Sequence, residues 1–442
     1  MNARKLRLLY YVECLGVGGA FQTTVTVARE MKERGHEVVF VSKGGPLRKL
    51  LDESRITHIE VDTDVRHPSP TIVSKLVETT NRFKIDLLCP NGFDCTLDAV
   101  AAGIWTDRPL VPTYGGMFNL PYPHPRLPIV NAFSFEQMAD LVERYGWKRE
   151  IFRNMIARID GKRFSSSVTG QALRRELGIR EGAPVLVTIC RHDRLKLKGL
   201  ISLLEAAEEI HRSLPDARLV LYGDGNSHEE VLERIRQVHR SVGVEFVLAP
   251  GSTNRTAEAF AMADIVLANG ARSALEGMAV GRPVVSLGPN GFCGVMTPDT
   301  IEGFRRFNFD KGRLAGNPIG DYKNLVASLS RLLRDDKLRK RLAAFSLDYA
   351  DKNLIIQSVG HEYETMYREG IEIGWGGGLG RLQVFTNWLG VVGHYYGYKL
   401  FRRGRAGQCD SGHGGLAPPP VSVDPDWGTG LPHDSNRGLP TS

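Results

Sequence analysis

The sequence contains no apolar run approaching the roughly 18 residues that a membrane-spanning helix needs, so no span is expected. Its six cysteines form no Cys-x-x-Cys pair and have no histidine at zinc-like spacing. That leaves out a zinc module and favours a reduced, cytoplasmic protein over a disulfide scaffold. Compositional bias is also missing over most of the chain: hydrophobic residues make up 42% and charged residues 24% of the 442, which excludes fibrous and wholly disordered classes. Neither sign of charge dominates. The 57 basic and 50 acidic residues leave a formal +7, a mild excess that suits phosphorylated ligands or anionic lipid and does not single out nucleic acid. A secretory leader is not expected either, because Glu13 interrupts the first apolar run and no small-residue cleavage site follows.

What is present is alternation. Leu8 to Val12 reads as a buried strand and Thr23 to Arg34 as a helix, followed by EVVFVS, ITHIEVD, a helix near Ile72 to Phe83, DLLCPN, a helix near Asp98 to Ile104, and PLVPTY. Strands alternating with helices imply βαβ units and parallel sheets. After Ile159 to Phe164 the pattern restarts with PVLVTICR and runs to RPVVSLG. Two α/β domains are therefore expected, joined near Asp160 to Ser167, in line with the prior for this length. Residues 323 to 370 read as helical, with leucines on one side and Arg334, Lys337, Arg339, Lys340 and Arg341 on the other, either a solvated face or a patch toward lipid or a partner.

Beyond Ile373 comes GWGGGLGRL, then the aromatic stretch LQVFTNWLGVVGHYYGYKLFRR. Gly390, Gly393 and Gly397 weaken any helix there. The stretch reads either as a loosely packed tail or as an interfacial segment with basic residues toward lipid head groups. From Arg405 onward Gly, Pro, Asp and Ser dominate, and a flexible tail is expected.

The candidate chemistry lies where strands meet helices. Gly16, Gly18 and Gly19 follow the first strand; they let backbone amides approach a phosphate or sugar at a helix N-terminus, or make a tight turn. The Gly-x-Gly-x-x-Gly spacing is absent and no acidic residue ends the second strand, which disfavours a dinucleotide site. Arg191 and Lys198 are read on a loop at the carboxyl edge of the second sheet, where two cations suit a diphosphate. LYGDGN adds Gly223 and Gly225. Glu276, about one turn into a later helix, is placed to accept ribose hydroxyls, or else is a carboxylate satisfied by the helix dipole. Gly288, Gly291 and Gly294 are read as a loop with free amides.

These motifs, in this order, resemble the retaining glycosyltransferases of family 4, which have the GT-B fold. The resemblance runs from about Leu8 to Tyr367. It rests on the Gly-Gly turn at 18 and 19, Ile-Asp-x-x-x-Phe at 159 to 164, Arg…Lys-Gly at 191, 198 and 199, and Gly-Asp-Gly at 223 to 225. Ala-Asp-Ile-Val at 263 to 266 and Leu-Glu-Gly-Met-Ala-x-Gly-x-Pro-Val-Val at 275 to 285 complete it. It implies an α/β protein of two Rossmann-like domains facing across a cleft: an acceptor-side domain over 1–160, a nucleotide-sugar domain over 161–345, a helix over 346–373 crossing back to the first, and 374–442 as the Gly, aromatic and basic segment and tail.

By the same resemblance Arg191 and Lys198 hold the donor diphosphate and Glu276 the ribose, making these three the catalytic set. Gly18, Gly19, Gly223, Arg272, Gly291, Phe292, Cys293 and Gly294 bind donor. The implied function is transfer of a hexose-type sugar from a nucleotide diphosphate donor to a carbohydrate or lipid-linked glycan acceptor, with retention, in glycan or polysaccharide synthesis. No metal or further cofactor is assigned: Asp62 with Asp64 and Asp424 with Asp426 lie away from the donor half's motifs. Peripheral contact with an anionic membrane is the remaining partner expectation. Two departures from the family pattern bear on turnover. Ala268 stands where the first Glu of Glu-x7-Glu belongs, and Thr113-Tyr114-Gly115-Gly116 replaces a His-bearing segment. They motivate a rival reading, a non-catalytic nucleotide-sugar or glycan-binding protein.

Overall fold

The computed structural model describes residues 4–115, 131–136, 152–288, 291–309, 322–376 and 378–403. Runs of β-branched and aromatic residues buried on both faces make parallel strands, and each parallel pair needs a crossover helix. In the first half these are β1 (Arg7–Cys14), α1 (Gly19–Glu33), β2 (Glu37–Lys43), α2 (Arg48–Glu53), β3 (Thr57–Glu60), α3 (Pro70–Arg82), β4 (Leu87–Pro90) and α4 (Phe93–Thr106). The four strands are ordered β3-β2-β1-β4 and all parallel. Bridges Leu88 to Leu110 and Asn91 to Thr113 carry the sheet on to β5 (Thr113–Tyr114), which pairs with β6 (Asn131–Phe133) and β7 (Phe152–Asn154).

The second half repeats the plan: α5 (Gln171–Glu176), β8 (Val185–Ile189), α6 (Arg194–Glu205), α7 (Ala207–Ser213), β9 (Arg218–Tyr222), α8 (His228–Val242), β10 (Val247–Gly251), α9 (Thr256–Ala261), β11 (Ile265–Ala268), α10 (Ala271–Ala279), β12 (Val284–Gly288) and β13 (Gly291–Val295). Its sheet is ordered β10-β9-β8-β11-β12-β13, parallel except for the last strand. Each half has an apolar cluster on either face of its sheet. The strand order reverses between β1 and β4 and again between β8 and β11, and ligands in open α/β sheets bind at the carboxyl ends beside such switch points. The two halves face one another across a cleft, the GT-B arrangement.

After α11 (Ile301–Arg306) and α12 (Tyr322–Arg334), residues 346–373 form parts of two helices, not one. α13 (Asp336–Asn353) packs on α10, and α14 (Ile356–Ile373) packs on α1. The break has a clear cause: Ile355 is extended and bridges Ile159, with Ile159 N donating to Leu354 O and Ile356 N to Ile159 O, both at 2.9 Å.

The segment after Ile373 is also different from the sequence expectation. Residues Gly378–Arg403 form one 26-residue helix, α15. Val384, Trp388, Val391 and Tyr395 recur on one face and dock on α4, where Trp388 Nε1 donates to Leu97 O at 2.9 Å and Tyr395 OH to Asp94 at 3.1 Å. Gly390, Gly393 and Gly397 would meet nothing with an added Cβ. Burial of the other face overrides their low helix propensity. The tail expected from Arg405 onward lies outside the described residues. No helix among the described residues is long and apolar enough to cross a membrane.

Candidate active site

The cleft between the halves has a volume of about 720 Å³ and is lined by the carboxyl ends of both sheets. On the first side, β1 runs into the turn 15–18 and α1 begins at Gly19. Gly18 is its extended N-cap and offers no side chain to the first amides, and it lines the cleft along with Val17, Gly19, Gln22 and Thr23. A Cβ at Gly19 would meet no atom within 4 Å, so packing does not demand glycine there. Behind this turn Asn91, from the end of β4, donates through Nδ2 to Thr24 Oγ1 at 2.6 Å.

On the second side β8 delivers Cys190 and Arg191. Arg191 is 60% exposed and paired with Asp193 at 3.0 Å. The stretch from 191 to 198 is only half loop. Asp193 accepts from Lys196 N through its carboxylate at 3.2 Å, so α6 starts at Arg194. Lys198 therefore falls inside the helix, and its side chain lies outside the described ones. Lys196, from the first turn, lines the cleft. Burial pushes the Cys190 thiol up to about 12, so it supplies no thiolate near neutral pH.

The Gly-Asp-Gly turn has a packing reason. At Gly223 an added Cβ would collide with Cys190 O and come within 2.6 Å of His192 Nε2; at Gly225 it would come within 2.6 Å of His192 O. Fully buried His192 donates its backbone N–H to Asp224 O at 2.9 Å and stacks on His228, the two Nδ1 atoms 2.8 Å apart. These contacts hold the strand end that bears Arg191 against the turn that brings Gly223 and Asp224 to the cleft wall.

Glu276 and Arg272 rise from α10, whose start after Gly270 points at the cleft. Arg272 Nε donates to Glu276 Oε1 at 2.8 Å, with the two side chains only 16% and 9% exposed. Burial raises the Glu276 pKa above its ordinary value, opposed by Arg272 and by Arg163. Arg163, from the joint between the halves, reaches the same wall and donates to Thr256 Oγ1 at 2.9 Å. Asn269 Nδ2 donates to Lys196 O at 3.0 Å and so ties β11 to α6.

Of the expected site residues, Gly18, Gly19, Arg191, Gly223, Arg272 and Glu276 line one cleft. Gly291, Phe292, Cys293 and Gly294 do not. They form β13, antiparallel to β12 with Phe292 opposite Leu287, and Cys293 is buried in the core. Their backbone belongs to an edge strand paired with β12 and not to a loop. Ala268, at the end of β11, is 1% exposed and belongs to that core too. Of the replaced segment, Thr113 and Gly115 line the cleft; Gly116 lies outside the described residues. Arg163, Lys196 and Asn269 also line the cleft, outside the motif positions that point to it. The signal for Lys196 was Asp193, a helix-capping residue three positions earlier.

Among the described lining residues, Lys49, Arg163, Arg191, Lys196 and Arg272 stand against Asp224 and Glu276. Such an excess of cations at sheet ends suits a ligand with about two negative charges. Among the described residues no three His, Cys, Asp or Glu side chains are grouped to hold a metal. Asp64 pairs with Lys43 and neither it nor Asp62 lines the cleft, while Asp424 and Asp426 lie outside the described residues.

Residues 17–187 match the family described as Glycosyltransferase Family 4, and residues 170–346 match Glycosyl transferases group 1. The N-acetyl-alpha-D-glucosaminyl L-malate synthase of Bacillus anthracis is 23% identical over 377 residues, covering 79% of this chain and 94% of its own. A glycosyltransferase from Rickettsia africae superposes with a TM-score of 0.68 at 18% identity, over 84% of this chain and all of its own. HepE from Anabaena, solved with UDP and glucose, gives 0.62 at 17% identity, over 81% and 98%. The structural likenesses speak for the fold. The two matched families run on from one half of that GT-B fold into the other and take in both walls of the cleft: over residues 17–346 the chain is similar to glycosyltransferases of the family 4 and group 1 kind.

Proposed function

We propose that the protein transfers a hexose-type sugar from a UDP-type nucleotide sugar to a hydroxyl of a carbohydrate or lipid-linked glycan, in glycan or polysaccharide synthesis and with retention of configuration. The observation that carries this reading is the second wall: Arg191, Lys196 and Arg163 with the buried Arg272–Glu276 pair at one set of strand ends. In this reading Arg191 and Lys196, with Lys198 from the next turn of α6, offset charge developing on the leaving diphosphate. That electrostatic contribution is commonly the largest in such reactions. Glu276 accepts the ribose hydroxyls through its carboxylate, and the amides at Gly18 and Gly19 meet the sugar or acceptor. The acceptor hydroxyl attacks from the face that the diphosphate leaves, its proton passing to a departing phosphate oxygen, so neither a side-chain nucleophile nor a metal ion is required.

The Anabaena neighbour was solved with UDP and the Bacillus relative is named for an N-acetylglucosaminyl product; both favour UDP donors as the first to try. The test is a panel of nucleotide sugars with the purified protein in EDTA, scored by thermal stabilisation and by release of nucleoside diphosphate. Ligand at about 100 times its dissociation constant adds about 2.7 kcal/mol of stability. NMR of the first-formed product reads the anomer: an inverted product overturns retention, and turnover only on adding manganese or magnesium overturns the metal-free step. The rival reading, a nucleotide-sugar-binding protein without turnover, draws on Ala268 being a core residue with no carboxylate to offer. Stabilisation by a donor without release in any acceptor mixture would favour it.

A further inference from the structure

We infer that the outward face of α15 docks on an anionic lipid bilayer, an inference independent of the donor reading. One side of the helix is covered by α4, with Val384, Val391 and Tyr395 buried. On the other side Leu382, Phe385 and Leu389 are 59%, 39% and 48% exposed. Spaced by three and four, they form one stripe along the axis. The other large apolar side chains left in solvent among the described residues include Ile373, just before α15, and Trp105, at the end of α4. Trp105 stands two residues before Asp107, the ion-pair partner of Arg381. A contiguous patch of this kind on a soluble fold marks a surface that something covers.

Charge identifies what covers it. From Leu382 to Tyr398 there is no Asp, Glu, Lys or Arg, and from Ile373 to Cys409 there is no acid while Arg381, Lys399, Arg402, Arg403 and Arg405 are all basic. An uncharged, aromatic-rich helix flanked by cations matches an interface with acyl chains beneath and anionic head groups around it, and it supplies both signals that stable peripheral binding needs. A protein partner of ordinary composition gives no reason for the complete lack of acids. The helix is held on α4 and its surroundings from Arg381 to Tyr396, so it lies on the bilayer as part of a folded domain.

Co-sedimentation of the full chain with phosphatidylcholine vesicles, with and without phosphatidylglycerol, tests this. Truncation is unsuitable because it uncovers the α4 face. Binding is expected on the anionic vesicles and is expected to weaken with salt. Leu382→Ser with Phe385→Ser and Leu389→Ser should lower partitioning about tenfold or more, at an unchanged melting temperature. Lys399→Gln with Arg402→Gln and Arg403→Gln should lower it about a hundredfold and flatten the salt dependence. If the triple serine variant melts lower, Phe385→Ser alone carries the apolar arm. Equal sedimentation of wild type and both variants overturns the proposal, as does equal binding to both vesicle types. A solution dimer that the serine variant dissociates overturns it too, in favour of a second copy.

Discussion

On the first wall of the cleft Tyr10, Thr24, Asn91, Thr113 and Ser134 come from strand ends and α1, and Lys49 is that wall's cation among the described residues. On the opposite wall the strand ends and the helices that follow them carry Arg191, Lys196, Arg272, Glu276 and Asp224. The same βαβ frame thus presents hydroxyls, amides and aromatic rings on one side and concentrated charge on the other. Charge in a partly desolvated site acts over several ångströms and selects a class of ligand. Hydroxyls and amides act only at contact and select a particular ligand by its shape. Under the proposed function the donor class is therefore readable from one wall, while the acceptor is left to geometry on the other.

The largest expected effect sharpens the charged side. Glu276→Ala takes its carboxylate partner from the part-buried Arg272, which keeps its bond to Arg158 O, so the loss of stability should be at most that of a fully buried pair, about 3–5 kcal/mol. It should weaken nucleotide-sugar binding as well. Glu276→Gln should lose less of each. Denaturant unfolding alongside calorimetric titration separates the outcomes: stability lost with affinity intact would make Glu276 a strut for Arg272 and remove it from the ribose. The raised Glu276 pKa adds a sign. The ionised form is the stronger acceptor of hydroxyls, so donor affinity should fall on acidification, beginning above the ordinary carboxylate value of 4.5.

Next in size, Arg191→Ala should lower affinity for UDP by about 1.5–3 kcal/mol, roughly one to two powers of ten. Its exposed pairing with Asp193 contributes little to folding, so the melting temperature should not move. Equal calorimetric affinity in the variant would break the comparison by taking the diphosphate elsewhere. On the uncharged wall Asn91→Ala removes the bond to Thr24 at a cost of about 0.5–1.5 kcal/mol of stability. It should raise the acceptor KM while donor binding stays unchanged. A donor defect of Arg191 size would mean that the two walls do not divide the labour.

The smallest effect concerns His192. Burial, followed by neighbouring His228, holds its pKa below the unfolded value of 6.5. Between the two values the unfolded chain binds the extra proton. Its contribution to stability is therefore complete above 6.5 and is lost as pH falls through the window below it. His192→Gln should flatten that part of the stability-versus-pH curve, measured by urea unfolding at several pH values.

The alternation of strands and helices was legible because period and length differ between the two, and the cleft followed from strand ends and glycine turns. Three features were not legible, each because pairing or packing against another element decided it. Gly291 to Gly294 looks like a flexible loop until β12 is there to pair with it. The run 346–373 looks like one helix until Ile159 claims Ile355. The glycines of α15 argue against a helix until α4 buries Trp388 and Tyr395. The offset between Lys196 and Lys198 is different, since the cap at Asp193 lay in the sequence itself.

The two places where the chain passes between halves are hydrogen-bonded to each other through Ile159, Leu354 and Ile356. Around them Arg29 and Gln357 hold Asp160, and Arg158 holds Glu362. Mechanically this is a paired pivot. Sliding one half past the other would shear these bonds, whereas turning about the line between the crossings leaves them in place. Distances between spin labels across the cleft mouth should therefore change on donor binding far more than distances between labels beside the pivot, and uniform changes at both would mean that the halves translate.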